Sequence, residues 1–258
     1  IISHGLEGHS RRPYVLGMAK AVVDNGWDAL AWNFRSCGGS MNRNLRFYHS
    51  GATEDLHRVI DYAAESGCYD EIALVGFSMG GNLSLVYLGQ EKPKPNSIVK
   101  KTVVYSVPCD LSASAEQLTK PQNTIYMKRF LKDLKSKMQE KEKIFPREVD
   151  LTGYDEIKNF RQFDDRYTAP IHGFKDADHY WAQCSSRRYI RNIKIPTLIV
   201  NAKDDPFLSE ACYPHDEVDA NKHVKLETPA TGGHVGFVSF NKSNLYWSEQ
   251  RAIAFLDA

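Results

Sequence analysis

Gly76-Phe77-Ser78-Met79-Gly80 directly follows the apolar run Ile72-Ala73-Leu74-Val75, and no other part of the chain constrains the fold as much. A buried strand that turns at once into a helix leaves no room for side chains beside the turn. Glycine two positions before and two positions after the serine lets the strand and helix backbones approach. The turn then holds Ser78 in a strained conformation, with its hydroxyl lifted above the sheet. Gly81 adds space at the helix start. The helix N-terminus points its unpaired N–H groups at the same spot, where negative charge can be stabilised. The competing reading, an ordinary strand-to-helix turn that happens to hold a serine, is weakened by what surrounds it.

The flanking sequence alternates strand and helix. Ile1-Ile2 reads as the end of a buried strand and His4-Gly5-Leu6-Glu7-Gly8 as a turn. A helix is predicted over 12–25, a strand over 27–34, a Gly/Ser/Asn/Arg-rich loop over 35–51, and a helix from Thr53 with Leu56, Val59, Ile60 and Ala63 at helical spacing. Strands follow over 71–75, 99–107, 196–202 and 223–228, with helices over 80–88 and 243–257. This alternation predicts an α/β fold with a mostly parallel, doubly wound sheet. The rhythm breaks over 109–190, which is charged, aromatic-rich and helical in pattern. That block is expected to be a cap inserted into a core formed by 1–108 and 191–258.

A serine hydroxyl attacks carbonyl carbon only when a base takes its proton, and the base needs an orienting acid. Both partners are sought in loops at the C-terminal ends of strands, where open α/β sheets build their sites. Asp205 follows the strand 196–202, and His234 follows the strand 223–228 within Gly232-Gly233-His234-Val235-Gly236-Phe237. Asp204 competes with Asp205 for the acid role. Asp205 is preferred because it is followed by Pro206 and Phe207. An oxyanion site needs two N–H donors, and the backbone groups of Met79 and Leu6 stand in the required loops. His4 reads as a packing and hydrogen-bonding residue.

With 258 residues the chain fits one domain, and a net charge of +1 provides no bulk field toward nucleic acid. No apolar run approaches the length of about 20 residues that a membrane helix requires. Five scattered cysteines without a C-x-x-C pair favour free thiols in a reducing, cytoplasmic compartment over disulfides or zinc. No ligand spacing supports a metal. The chain opens inside what reads as the end of a strand. The natural N-terminus, with any targeting signal it carries, is expected upstream.

Together, His4–Gly8, Asn33-Phe34-Arg35-Ser36-Cys37-Gly38-Gly39, Tyr48-His49-Ser50-Gly51-Ala52-Thr53-Glu54-Asp55, Gly76–Asn82, Ala202–Phe207 and Gly233–Phe237 carry a resemblance over nearly the whole chain. It resembles the α/β-hydrolase superfamily, and within it the branch of bacterial esterases and eukaryotic lipid-hydrolysing α/β-hydrolase-domain proteins. The resemblance implies a Ser78–His234–Asp205 triad that hydrolyses carboxylic esters, of a small molecule or a lipid, without a cofactor. An acyltransferase using the same triad, or a binding protein on a hydrolase fold, are the alternatives.

In the cap, residues 120–143 form a basic amphipathic helix. Met127, Phe130, Leu131, Leu134 and Met138 lie at helical spacing among eight Lys and Arg residues. A packed cap helix with a solvated outer face is preferred to a lid that makes weak contact with anionic lipid. The aromatic residues Phe160, Phe163, Tyr167, Phe174, Tyr180 and Trp181 are read mostly as glue between cap and sheet, in preference to the lining of an acyl pocket. Arg35, His49 and Asp55 read as loop anchors.

Overall fold

The computed structural model describes residues 1–238, 241 and 244–258. Five parallel strands, β1 (Ile2–Ser3), β2 (Ile72–Phe77), β3 (Val99–Tyr105), β4 (Thr197–Val200) and β5 (Val224–Glu227), lie side by side in chain order. Registers such as Ile2 beside Val75, Val75 beside Val103, and Tyr105 beside Val200 bring the C-terminal strand ends to one edge.

Strand periodicity divides the core into two layers. Val75, Phe77, Val103, Tyr105, Leu198 and Val200 face helices α1 (Pro13–Asp24) and α10 (Trp247–Leu256). The alternate residues Leu74, Val104 and Ile199 face α2 (Thr53–Glu65) and α3 (Met79–Gly89). Every residue of α3 is buried, which matches its lack of a polar face. The predicted helix 243–257 is observed as α10; its first predicted residue, 243, lies outside the described residues.

The predicted strand 27–34 is not a strand. Ala31 makes a single parallel bridge to Ile2, and the Ile2 N–H donates to the Leu30 carbonyl at 2.8 Å. Its neighbour β1 is only two residues long, so it offers too little ladder to draw the segment into the sheet.

Between β3 and β4 the chain runs through α4 (Leu111–Gln117), α5 (Thr124–Ile144), α6 (Phe160–Phe163), a π-helical turn (Asp164–Thr168), α7 (Ala169–His172) and α8 (Ala177–Cys184). A further α-helix, α9 (His215–Asp219), lies between β4 and β5. α5 buries Met127, Leu131, Leu134 and Met138 of the predicted apolar stripe, while its fifth member, Phe130, is only partly buried. Its basic face is not all solvated, however. Lys141 is fully buried and donates to the side-chain oxygen of Asn42 at 2.7 Å and to the carbonyls of Asn42 and Asn44. Burial lowers its ammonium to about 8. The loop 35–51 is thereby tied to α5, and Arg35 and Asp55 tie it to α2 with contacts of 2.6 and 2.5 Å.

Candidate active site

The elbow has the predicted steric origin. A Cβ on Gly76 would lie 2.6 Å from the Gly80 carbonyl, and one on Gly80 would lie 2.5 Å from the carbonyls of both Ser3 and His4. Only glycine lets β1, β2 and α3 meet this closely. Ser78 between them has φ +53° and ψ −120°, which L side chains rarely adopt.

Three side chains distant in sequence converge there. His234 Nε2 lies 2.9 Å from Ser78 Oγ, and His234 Nδ1 lies 2.9 Å from Asp205 Oδ2 and 3.1 Å from Oδ1. A carboxylate only accepts, so Nδ1 carries the proton and Nε2 is left to accept from the serine hydroxyl. Asp205 has no exposed side-chain surface, and its Oδ1 also accepts from the Phe207 N–H at 2.9 Å. The Phe207 ring packs on His234 with centroids 4.3 Å apart. Asp204 points elsewhere: its Oδ1 accepts the Gly233 N–H at 2.8 Å.

Leu6 and Met79 border the same cavity as Ser78 and His234. Met79 is the first residue of α3, where a backbone N–H has no carbonyl a turn earlier to bond. Leu6 N–H shares a peptide plane with the Gly5 carbonyl, which accepts from Gly8 N–H at 3.0 Å and His4 Nδ1 at 2.8 Å. Locking that oxygen fixes the N–H on the opposite side of the same plane. His4 is fully buried and accepts the Phe34 N–H on Nε2 at 3.2 Å, and burial lowers its imidazole to about 4. It is a neutral brace for this turn, as expected.

The cavity, open at its mouth, encloses about 820 Å³ of space, part of it continuous with solvent. Its walls are mainly apolar, with Leu111, Leu118, Phe130 and Leu134 prominent. Of the six aromatic residues between β3 and β4 expected mostly to serve as packing glue, Phe160, Phe163, Tyr180 and Trp181 line it. Tyr167 and Phe174 instead pack on neighbouring rings. His49 also lines the cavity, and burial holds its imidazole well below the usual range. Sequence reasoning did not find Asp164, a buried carboxyl in the cavity wall that accepts Trp181 Nε1–H at 2.8 Å and is pushed by burial to about 7.

Residues 1–240 match the family model described as "alpha/beta hydrolase fold". The chain belongs to the α/β-hydrolase fold family. It is 35% identical over 241 residues to the YheT protein of Escherichia coli, whose name assigns it provisionally to the esterases; the match covers 92% of this chain and 70% of YheT. It is 31% identical over 235 residues to the phospholipase ABHD3 of Bos taurus, covering 91% of this chain and 57% of that protein. The chain thus spans little more than half the length of that phospholipase. The Pyrococcus furiosus esterase Pf2001 superposes with a TM-score of 0.63 at 16% identity, over 99% of this α/β hydrolase and 81% of the esterase chain. Among the described residues no helix is long and apolar enough to cross a membrane, and no group of His, Cys, Asp or Glu is arranged to hold a metal ion.

Proposed function

We propose that this α/β hydrolase is a serine hydrolase that cleaves carboxylic esters, lipid esters among them. The observation that carries this reading is the unbroken relay from Ser78 Oγ through His234 to Asp205, with both links at 2.9 Å. Ser78 Oγ bonds to the ester carbonyl carbon while its proton passes to His234 Nε2. The carbonyl oxygen takes up negative charge against the N–H groups of Leu6 and Met79. The C–O bond to the alcohol then breaks, and His234 gives its proton to the departing alkoxide. Water, deprotonated by His234, attacks the acyl-serine; the acyl C–Oγ bond breaks, His234 returns the proton to Ser78 Oγ, and the acid is released. Throughout, Asp205 holds the imidazole in the required tautomer and stabilises its cation. The apolar cavity suits an acyl chain, and similarity to proteins named as a phospholipase and an esterase supports the same substrate class.

A weak contact between α5 and a lipid surface belongs to the same reading. Ile125 is 80% exposed, Tyr126 packs against Phe207 at 4.8 Å, and Phe207 lies against His234. Basic Lys128, Arg129 and Lys132 are exposed beside them. All five cysteines are free, Cys68 at the surface, which suits a reducing, cytoplasmic setting.

The test is labelling with a fluorophosphonate probe, wild type beside Ser78→Ala, with the adduct mapped by mass spectrometry and p-nitrophenyl ester turnover measured in parallel. Labelling at Ser78 with turnover, both lost in the variant, is expected. Turnover surviving in Ser78→Ala would refute the mechanism. Product analysis with an added acceptor alcohol separates hydrolysis from acyl transfer.

A further inference from the structure

The turn that carries Leu6 is held from the cap. Gly8 N–H closes it on the Gly5 carbonyl, and Glu7 in its third position has φ +53°. That is the backbone of a type II turn, a position glycine fills at least cost. Glu7 is kept there by groups far away in sequence. Lys137 Nζ donates to Glu7 Oε1 at 2.8 Å, and the Tyr48 hydroxyl donates to the same oxygen. In turn the Glu7 N–H donates to the Tyr48 hydroxyl at 3.3 Å, and Arg12 Nη2 donates to the Glu7 carbonyl at 3.2 Å. Lys137 lies 4.7 Å from the centre of the Tyr48 ring and also donates to Cys37 Sγ at 3.0 Å. The Glu7 and Lys137 side chains are only 7% and 14% exposed. Removing one partner therefore strands the other in a poorly hydrated site. By contrast, the Lys135–Asp155 pair on the same helix has an aspartate that is 88% exposed.

We propose that Glu7 and Lys137 are positioning residues for the oxyanion site: α5, through Lys137, fixes the turn that aims the Leu6 N–H at the reacting carbonyl. This rests on the ester-hydrolase reading above. Without the ion pair, Glu7 relaxes toward negative φ, the Gly8 N–H that follows it loosens on the Gly5 carbonyl, and the Gly5–Leu6 peptide plane that carries the donor loses one of its two anchors. That donor is used most when the carbonyl oxygen becomes negative, so its loss lowers kcat and leaves ground-state binding nearly intact. Completion of the oxyanion site thus depends on the seating of α5.

The experiment measures kcat and KM on p-nitrophenyl esters for wild type, Lys137→Met, Glu7→Gln, Lys137→Arg and Lys135→Met, with thermal melts of each. Lys137→Met and Glu7→Gln are expected to lose about 10- to 100-fold in kcat, less than complete removal of an oxyanion donor, with KM changed by less than about twofold. Lys137→Arg restores most of the rate, and Lys135→Met behaves as wild type. If a single variant does not fold, the double variant Glu7→Gln/Lys137→Met, which leaves neither charge unpaired, decides the matter through the same fall in kcat. Wild-type turnover with kcat unchanged in the folded Lys137 or double variants, or with the loss confined to KM, overturns the proposal and leaves the hydrolase reading standing. Wild type that neither turns over esters nor labels at Ser78 removes the hydrolase reading and this proposal with it.

Discussion

Asp204 accepts the backbone N–H of Gly233 at 2.8 Å, one residue away from Asp205 and His234, which are themselves bonded at 2.9 Å. Two neighbouring carboxylates therefore clamp one loop to another, one through the main chain and one through the imidazole. Their roles separate on substitution. Asp205→Asn should lower kcat by about 10⁴, because the imidazole loses its tautomer and its counter-charge. Asp204→Asn weakens one charge-assisted bond and should cost about tenfold or less. Steady-state turnover of both variants checks this, and equal losses would contradict the division of labour.

Strain at Ser78 makes function and stability oppose each other. With φ +53° at this position, Ser78→Gly should abolish turnover while raising stability by about 1 kcal/mol, or about 2–4 °C in Tm for a chain of this size. Calorimetry of the two proteins measures it. An unchanged or lower Tm would mean that the serine's hydrogen bond outweighs the backbone strain.

Gly80 tests the packing of the elbow. A methyl group there meets two carbonyl oxygens at 2.5 Å, and neither is the end of a flexible side chain. Gly80→Ala should destabilise the fold by about 3 kcal/mol or more. Denaturant unfolding reads the loss, and a midpoint equal to wild type would show that β1 moves aside freely.

Acid sensitivity should come from buried imidazoles. Burial lowers His4 and His172 to about 4 and His49 well below its usual value. The folded chain keeps these rings neutral, whereas the unfolded chain protonates them near their ordinary value of about 6.5. Their contribution is complete above that pH and is lost progressively as the pH falls toward about 4. His172 Nε2 is also buried without a hydrogen bond among the described residues. His172→Phe should therefore lose less Tm than wild type between pH 8 and pH 5. Parallel melting curves would exclude His172 as a source.

Asp164 acts in the opposite direction. Its carboxyl is pushed up to about 7 in the folded state, so its contribution is present below the ordinary carboxylate range and lost as the pH rises through 7. Asp164→Asn, which keeps an acceptor for Trp181, should raise Tm at pH 8 more than at pH 5. The same Tm change at both pH values would argue against a titrating carboxyl.

The sequence by itself determined what local sterics and periodicity control. The Gly76-Phe77-Ser78-Met79-Gly80 junction was legible because only glycine permits that approach, and the layered α/β sheet because strands and helices repeat at different periods. The candidate partners of Ser78 were legible as residues at strand ends. Lys141 had left a trace too, since it extends the stripe of Met127, Leu131, Leu134 and Met138, although its charge argued for solvent. Other features depended on contacts between distant residues. Asp204 and Asp205 are chemically identical neighbours until the His234 loop folds over one of them. Residues 27–34 have the composition of a strand, but the two-residue β1 gives them almost nothing to pair with. Glu7 and Lys137 lie 130 positions apart, and only tertiary packing turns a loop glutamate and one of many helix lysines into a buried pair.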